Sequence, residues 1–350
     1  TLANQGLWHI CEQIFGYLNY ETVENCRKVS ELWNESLERI ALIKFLQEFG
    51  DRDVEYTNEK VSTIVAGWKN AGKMFGAQAS LEDLQEVKDS LLRLAIGNDK
   101  CCPYPVHEAA KIGALKLMEF ILRTSFDMNT EDNCGSIAWH EACSYGQTET
   151  AQLIIQSSND FDLNAKDNHG STAWHNACRN GKTETAKSII QSSKDFGIDL
   201  NAKDNCGRTA WHLACAFGKT ETAQLIIQYS KDFGIDLNAK NDYGNTAWHF
   251  ACSIGKIETA QLIVQSSKDF GIDLNAKNNE GNAALHKACI DGQTETVQII
   301  LKNWKEFAID IKAQNKFGKT ALDLINHCKG GKRNQIKKML EKEYFRNHVT

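Results

Sequence analysis

From about residue 101 onward, short apolar clusters separated by polar turns recur at a long, regular interval. A single interval shows the elements this predicts. Thr209 stands where its hydroxyl can cap a short helix, and Gly218 stands where that helix must end. Thr220 can cap a second helix running through Gln224-Leu225-Ile226-Ile227, with Ala223, Ile226 and Ile227 as its apolar stripe. Two helices this short cannot bury both of their faces, so the pattern predicts a stack in which each pair covers its neighbours.

The interval is set by near-identical strings, TAWHNACRNGKTETA, TAWHLACAFGKTETA and TAWHFACSIGKIETA. Their histidine marks the series His107, His140, His175, His212, His249 and His286, at intervals of 33, 35, 37, 37 and 37 residues. A further step reaches Asp323, in a last unit without the histidine. Each unit resembles an ankyrin repeat, whose signature is T-P-L-H-x-A at a period near 33. Tyr104-Pro105-Val106-His107 is the nearest to that signature, whereas Thr209-Ala210-Trp211-His212 has Ala for Pro and Trp for Leu. The loop Asn201-Ala202-Lys203-Asp204-Asn205-Cys206-Gly207 is similar to the hairpin that joins one ankyrin unit to the next. The resemblance implies an all-α dominated fold, an ankyrin-repeat solenoid of helix-turn-helix units with β-hairpin loops. About seven units would fill residues 101–350, the last of them a cap.

Later units are four residues longer than the usual period, and the excess falls in Ser193-Lys194-Asp195-Phe196-Gly197. Four residues add one helical turn, roughly 6 Å. The spacing therefore predicts a lengthened second helix ending at Gly197, with Trp in place of Leu filling the larger layer.

Composition narrows the function. The chain is 42% apolar and 24% charged with a formal net charge of −5, the profile of a folded globular protein. Both signs are mixed along its length, which argues against a nucleic-acid partner or an anionic membrane surface. No apolar run approaches the roughly 20 residues of a membrane helix. The chain opens at Thr1 rather than Met, as a fragment would. Twelve cysteines in so large a chain read as buried thiols in a reducing compartment, so cytoplasmic or nuclear localisation is expected.

Three patterns that look chemical are absorbed by the repeat. Asp-Phe-Gly at 195–197, 232–234 and 269–271 lacks the Gly-rich loop, strand lysine and catalytic loop of a kinase. Gly-Lys-Thr at 181–183 and 218–220 lacks the first glycine of a phosphate loop, which Asn176 and Leu213 replace. Five of the six repeat histidines stand three residues before a cysteine (Cys143, Cys178, Cys215, Cys252, Cys289), but two ligands per layer, with layers about 10 Å apart, do not make a zinc site. No catalytic residues, metal ligands or cofactor are expected, and the chain is read as a binding protein rather than an enzyme.

Variation against a uniform frame locates the binding residues. Units 208–244 and 245–281 agree at 28 of 37 positions. Differences gather after each histidine, after each cysteine (as at Ser253-Ile254) and before the loop glycine. In ankyrin-like stacks these positions line the concave face and hairpin tips, where solenoids commonly bind. The target-binding residues expected there are Tyr145, His169, Asn176, Arg179, Leu213, Phe217, Tyr243, Phe250, Lys287 and Phe317, with the aromatic ones as anchors.

The front of the chain does not repeat. Ile10, Ile14, Leu18, Val23, Val29 and Trp33 give the apolar spacing of two or three short helices. The string Ile14-Phe15-Gly16-Tyr17-Leu18, followed by Val29 and Trp33, resembles an F-box, although Gly6-Leu7 stands where that family has Leu-Pro. The resemblance covers about residues 7–48, within a helical module placed at 1–48, and implies docking to the Skp-type adaptor of a cullin-RING ubiquitin ligase through Leu7, Ile10, Ile14, Phe15 and Leu18. Residues 49–100 read as a helical linker. Two functions then compete: a substrate receptor whose repeats hold a target for ubiquitin transfer, and an ankyrin scaffold or inhibitor with no ubiquitin role.

Overall fold

The computed structural model describes residues 104–123, 128–157, 162–328 and 331–345. Leu7, Ile10, Ile14, Phe15 and Leu18, with the rest of the F-box-like segment and the linker, lie outside the described residues. The chain groups into two units, Thr1–Asp132 and Asn133–Thr350. In the first, α1 (Pro105–Ile112) packs on α2 (Leu115–Arg123). Proline opens α1, where no N–H is needed, and Gly113 closes it in the left-handed region at φ 71°.

The second unit is a stack of helix pairs. The first helices are α3 (Ala138–Tyr145), α5 (Ala173–Asn180), α7 (Ala210–Ala216), α9 (Ala247–Ile254) and α11 (Ala284–Ile290). Their second helices are α4 (Thr148–Gln156), α6 (Thr183–Phe196), α8 (Thr220–Phe233), α10 (Ile257–Phe270) and α12 (Thr294–Asn303). A 3₁₀ turn at Asp323–His327 and α13 (Arg333–Phe345) complete it. First helices pack on first helices and second on second, layer after layer. The core is correspondingly periodic: Trp139, Trp174, Trp211 and Trp248 are all buried, as are Cys143, Cys178, Cys215, Cys252 and Cys289. Ala223, Ile226 and Ile227 form the buried stripe their spacing predicts.

The four extra residues do lengthen the second helix. Helices α6, α8 and α10 have 14 residues, against 9 in α4 and 10 in α12. The added turn carries its own interlayer contacts, with Lys194 over Phe233 at 4.7 Å, Lys231 over Phe270 at 5.2 Å and Lys268 over Phe307 at 4.7 Å. It ends on Gly197, Gly234 and Gly271, all left-handed, while the last unit places Ala308 there at φ 51°. A Cβ added at any of the three glycines would meet nothing within 4 Å, so backbone strain alone distinguishes the two residues. Ala308→Gly should therefore raise stability by about 1 kcal/mol and Gly234→Ala lower it by a similar amount. Urea unfolding of both variants checks this, and equal effects of one sign would contradict it.

The loops differ from the expected β-hairpins, since no strand occurs among the described residues. Each loop is a turn closed by two backbone bonds, such as Asp204 N–H to Arg208 C=O and Gly207 N–H to Asp204 C=O, both at 2.9 Å. A carboxylate or amide inside the turn takes the donors a strand would have used. Asp204 Oδ1 accepts from the N–H groups of Cys206 and Arg208, both at 2.9 Å. Asn241, Asn278 and Asn315 do the same in later layers. The remaining backbone bonds run across layers rather than along a hairpin: Asn205 N–H reaches His169 C=O at 3.0 Å, and Asn279 N–H reaches Tyr243 C=O at 3.0 Å.

A buried threonine ladder joins the second helices through Thr148–Thr185, Thr183–Thr222 and Thr220–Thr259, at 2.8 to 2.9 Å. The next rung fails because Ile257 replaces threonine, leaving the buried Thr296 hydroxyl without a partner. Desolvating an unmatched hydroxyl costs about 1–3 kcal/mol. Thr296→Val should raise the melting temperature, whereas Thr259→Val, which breaks a rung, should lower it. A drop of equal size in both would refute the ladder account.

Candidate protein-binding surface

The histidine that opens each first helix belongs to the frame. His212 Nδ1 faces the Thr209 N–H at 3.1 Å and the Thr209 hydroxyl at 2.9 Å, and its Nε2 faces Asn245 C=O of the next loop at 3.0 Å. A backbone N–H can only donate and a carbonyl can only accept, so the ring is neutral, bare at Nδ1 and protonated at Nε2. His175 and His249 repeat this geometry. His286 keeps both backbone bonds, although Ala283 replaces the threonine. The threonine hydroxyl thus donates to the ring and does not cap the helix, which corrects the expectation for Thr209.

Burial holds His212 and His249 down at about 4, and lowers His175 and His286, against carbonyl bonds that favour the charged form. The cysteine three residues on is equally committed. Burial pushes the thiols of Cys143, Cys178, Cys215 and Cys252 far above their usual range, so none is a ready thiolate ligand. Among the described residues no group of three or more His, Cys, Asp or Glu side chains is placed to hold a metal.

With the frame assigned, the variable positions fall into two exposed rows. One runs along the C-terminal ends of the first helices, where Tyr145 is 51% and Phe217 43% exposed. The other runs along the loop tips, where Tyr243 is 67% and Phe317 74% exposed, and His169 is exposed as well. Arg179 and Phe217, from successive layers, are brought together, the guanidinium lying 5.0 Å over the ring. Asn176 is half-buried, and Lys287 is half-buried and ion-paired to Asp291 at 3.8 Å.

Two expected anchors are placed differently. Leu213 is 2% exposed: α7 packs against α5 on one side and α9 on the other, and an aliphatic side chain there is covered. It is therefore a core residue and not a contact for a target. Phe250 is half-buried with its ring edge-on to His212 at 5.7 Å, so it also belongs partly to the packing. Conversely, Ile254 is 46% exposed in the same row as Tyr145 and Phe217. A search for aromatic anchors passes over it, although its 37-residue offset from Phe217 was readable.

Family models for ankyrin repeats match residues 106–204, 194–278 and 267–325, which together span more than half of the chain. The chain belongs to the ankyrin-repeat family. Among solved structures, its repeats are similar to the ankyrin repeat domain of Bcl-3, described as a unique member of the IkappaB protein family. The identity is 23% and the TM-score 0.54, over 68% of this chain and 97% of that one. The human ASB11 ankyrin repeat domain matches at 19% identity and TM-score 0.54, over the same shares. At these identities the likeness shows the fold. No match was found among curated protein sequences. An ankyrin-repeat stack is a protein–protein interaction module, and among the described residues no helix is long and apolar enough to cross a membrane.

Proposed function

We propose that the ankyrin stack holds a target protein on the surface formed by the first-helix ends and loop tips. The observation that carries this is the row Tyr145, Phe217 and Ile254, three large apolar side chains exposed at one repeat register. The frame around them buries its tryptophans, alanines and cysteines almost completely. Apolar side chains gathered on one exposed row mark a contact surface more often than chance exposure does. Tyr243 and Phe317 on the loop tips extend the surface. Replacing Tyr145, Phe217 and Ile254 together by alanine should weaken target capture at least a hundredfold and leave the circular dichroism and melting temperature unchanged. Undiminished capture by the folded triple variant would sink the proposal.

The finer reading is a substrate receptor. Residues 1–48 would dock the Skp-type adaptor through Leu7, Ile10, Ile14, Phe15 and Leu18, residues 49–100 would space the two parts, and the repeats of 101–350 would present the target. Tethering raises the local concentration of target at the ligase without new contacts. Its support is the F-box resemblance of the sequence. Five buried thiols suit the cytoplasm or nucleus, where such a ligase works. Co-purification of the full chain with the adaptor tests it, and absence of binding at micromolar concentration leaves the ankyrin scaffold without a ubiquitin role.

A further inference from the structure

The added turns of the second helices carry a lysine-on-ring series that is open at one end. Lys194, Lys231 and Lys268 each place an ammonium over a ring of the following layer, 4.7 Å from Phe233, 5.2 Å from Phe270 and 4.7 Å from Phe307. The three covered rings are half-buried. Phe196 stands at the same register, yet it is 39% exposed and no cation lies over it among the described residues. The preceding layer lends none, because α4 ends at Gln156 without the added turn. Counted from the helix start, Asn159 holds the position of Lys194 in that layer.

The charges around the bare ring match those around a covered one. Asp195 precedes Phe196, and Asp199 and Asp162 are tied to it through Asn164. The Asn164 side chain donates to Gly197 C=O at 2.9 Å and accepts from Asp199 N–H at 2.8 Å, and its backbone N–H donates to Asp162 Oδ1 at 2.8 Å. Phe233 carries the same set, Asp232, Asp236 and Asp199, tied through Asn201, and there Lys194 supplies the cation. Asp162, Asp195 and Asp199 make no ion pair among the described residues. The flanking lysines are engaged or distant. Lys194 lies over Phe233, and Lys166 and Lys203 donate to Lys203 C=O and Lys240 C=O. Lys187 stands nine residues back on the same helix, about 13 Å along its axis. Phe196 also ends α6, where the helix dipole favours positive charge.

We infer that the open face of Phe196 takes the ammonium of a lysine side chain from a partner protein, in the place that Lys194 fills at Phe233. Lysine is the occupant that the fold itself seats at this register three times. The site ends a second helix, whereas Tyr145, Phe217 and Ile254 belong to the first-helix ends. It rests on the reading that the stack holds a protein and gives that protein a further contact.

Selection of a displayed library of random peptides, run in parallel on the full chain and on its Phe196→Leu variant, tests it. Leucine keeps an apolar side chain and removes the ring face, so circular dichroism and melting temperature should be unchanged. Peptides enriched on the parent over the variant should share a lysine. For one such peptide, Phe196→Leu and a Lys→Gln change in the peptide should each weaken binding about threefold, and the two together hardly more than either alone. Phe196→Trp, which offers a better ring face, should tighten the same peptide. A shared residue other than lysine, additive losses, or no peptide that distinguishes the parent from Phe196→Leu overturns the inference. Target capture by the triple alanine variant decides separately whether the first-helix ends bind, so either reading can fail alone.

Discussion

Between pH 6.5 and pH 4 the repeat stack should lose most of its stability. The histidines at the first-helix starts are the cause. In the unfolded chain they titrate near 6.5, whereas His212 and His249 in the fold titrate at about 4 and His175 and His286 are lowered in the same sense. As the pH falls through this window the unfolded chain takes up protons and the native stack does not, so stability falls with pH. Below about 4 the native rings protonate too and this contribution levels off. A shift from 6.5 to about 4 corresponds to at most roughly 3 kcal/mol for each of His212 and His249. Two such residues approach the whole stability of an ordinary domain. The geometry agrees, because a proton on Nδ1 would set two donors, the ring N–H and the Thr209 N–H, against each other. Melting temperatures measured from pH 7.5 to 4.5 should drop steeply below 6.5, and His212→Asn should flatten part of that drop. A melting temperature constant across the window would contradict the neutral, bridging ring.

Trp211→Ala should cost about 3–5 kcal/mol, among the largest single-residue effects in the stack. The side chain is 1% exposed in a central layer, and its Nε1–H donates to Leu237 C=O at 3.1 Å. Truncation opens a cavity between two layers and removes the donor from a buried carbonyl. Trp211→Leu tests the two terms separately, because the chain contains its own control. In the layer of α11 the tryptophan is replaced by Leu285, and the matching carbonyl, Ile311 C=O, accepts instead from the Tyr344 hydroxyl of α13. Leucine is tolerated there because the capping helix supplies the missing donor. Among the described residues no such hydroxyl serves Leu237, so Trp211→Leu should cost more than the lost volume alone, by about 1–3 kcal/mol. Urea unfolding of both variants measures this, and a leucine variant as stable as the parent would refute the account.

Much of this architecture could be read from the sequence, because it repeats. The period, the paired helices, the stripe of Ala223, Ile226 and Ile227, and the extra turn closed by Gly197 depend on local spacing, and the structure carries all of them. What escaped depends on contacts between layers. The Thr209 hydroxyl turns to the His212 ring because histidine stands where glutamate completes a capping box. Leu213 has the composition of a variable surface position and the location of a core one, which only the packing of α5 and α9 against α7 decides. Ile254 was visible at the right register but was not aromatic. The role of Tyr344 could not be read: Leu285 in place of the repeated tryptophan marks the missing donor, but no local pattern says that a hydroxyl 33 residues beyond Ile311 supplies it.

The loops donate forward at one fixed register: Lys203 Nζ to Lys240 C=O, Asn201 Nδ2 to Gly234 C=O, His175 Nε2 to Arg208 C=O. Their partners in the following layer have the same backbone groups in the same places. A layer therefore does not recognise which layer follows it. Excising residues 208–244 would present Asn245 C=O to His175 where Arg208 C=O had been, so the backbone contacts would re-form, although the buried Asp204 carboxylate would lose the Arg208 guanidinium it now pairs with. The surface would not be restored, since Arg179 would then stand beside Ile254 instead of Phe217. A gene encoding such a chain can gain or lose whole units by recombination between its own repeats, rewriting the order of its surface side chains while leaving the fold legal at every step.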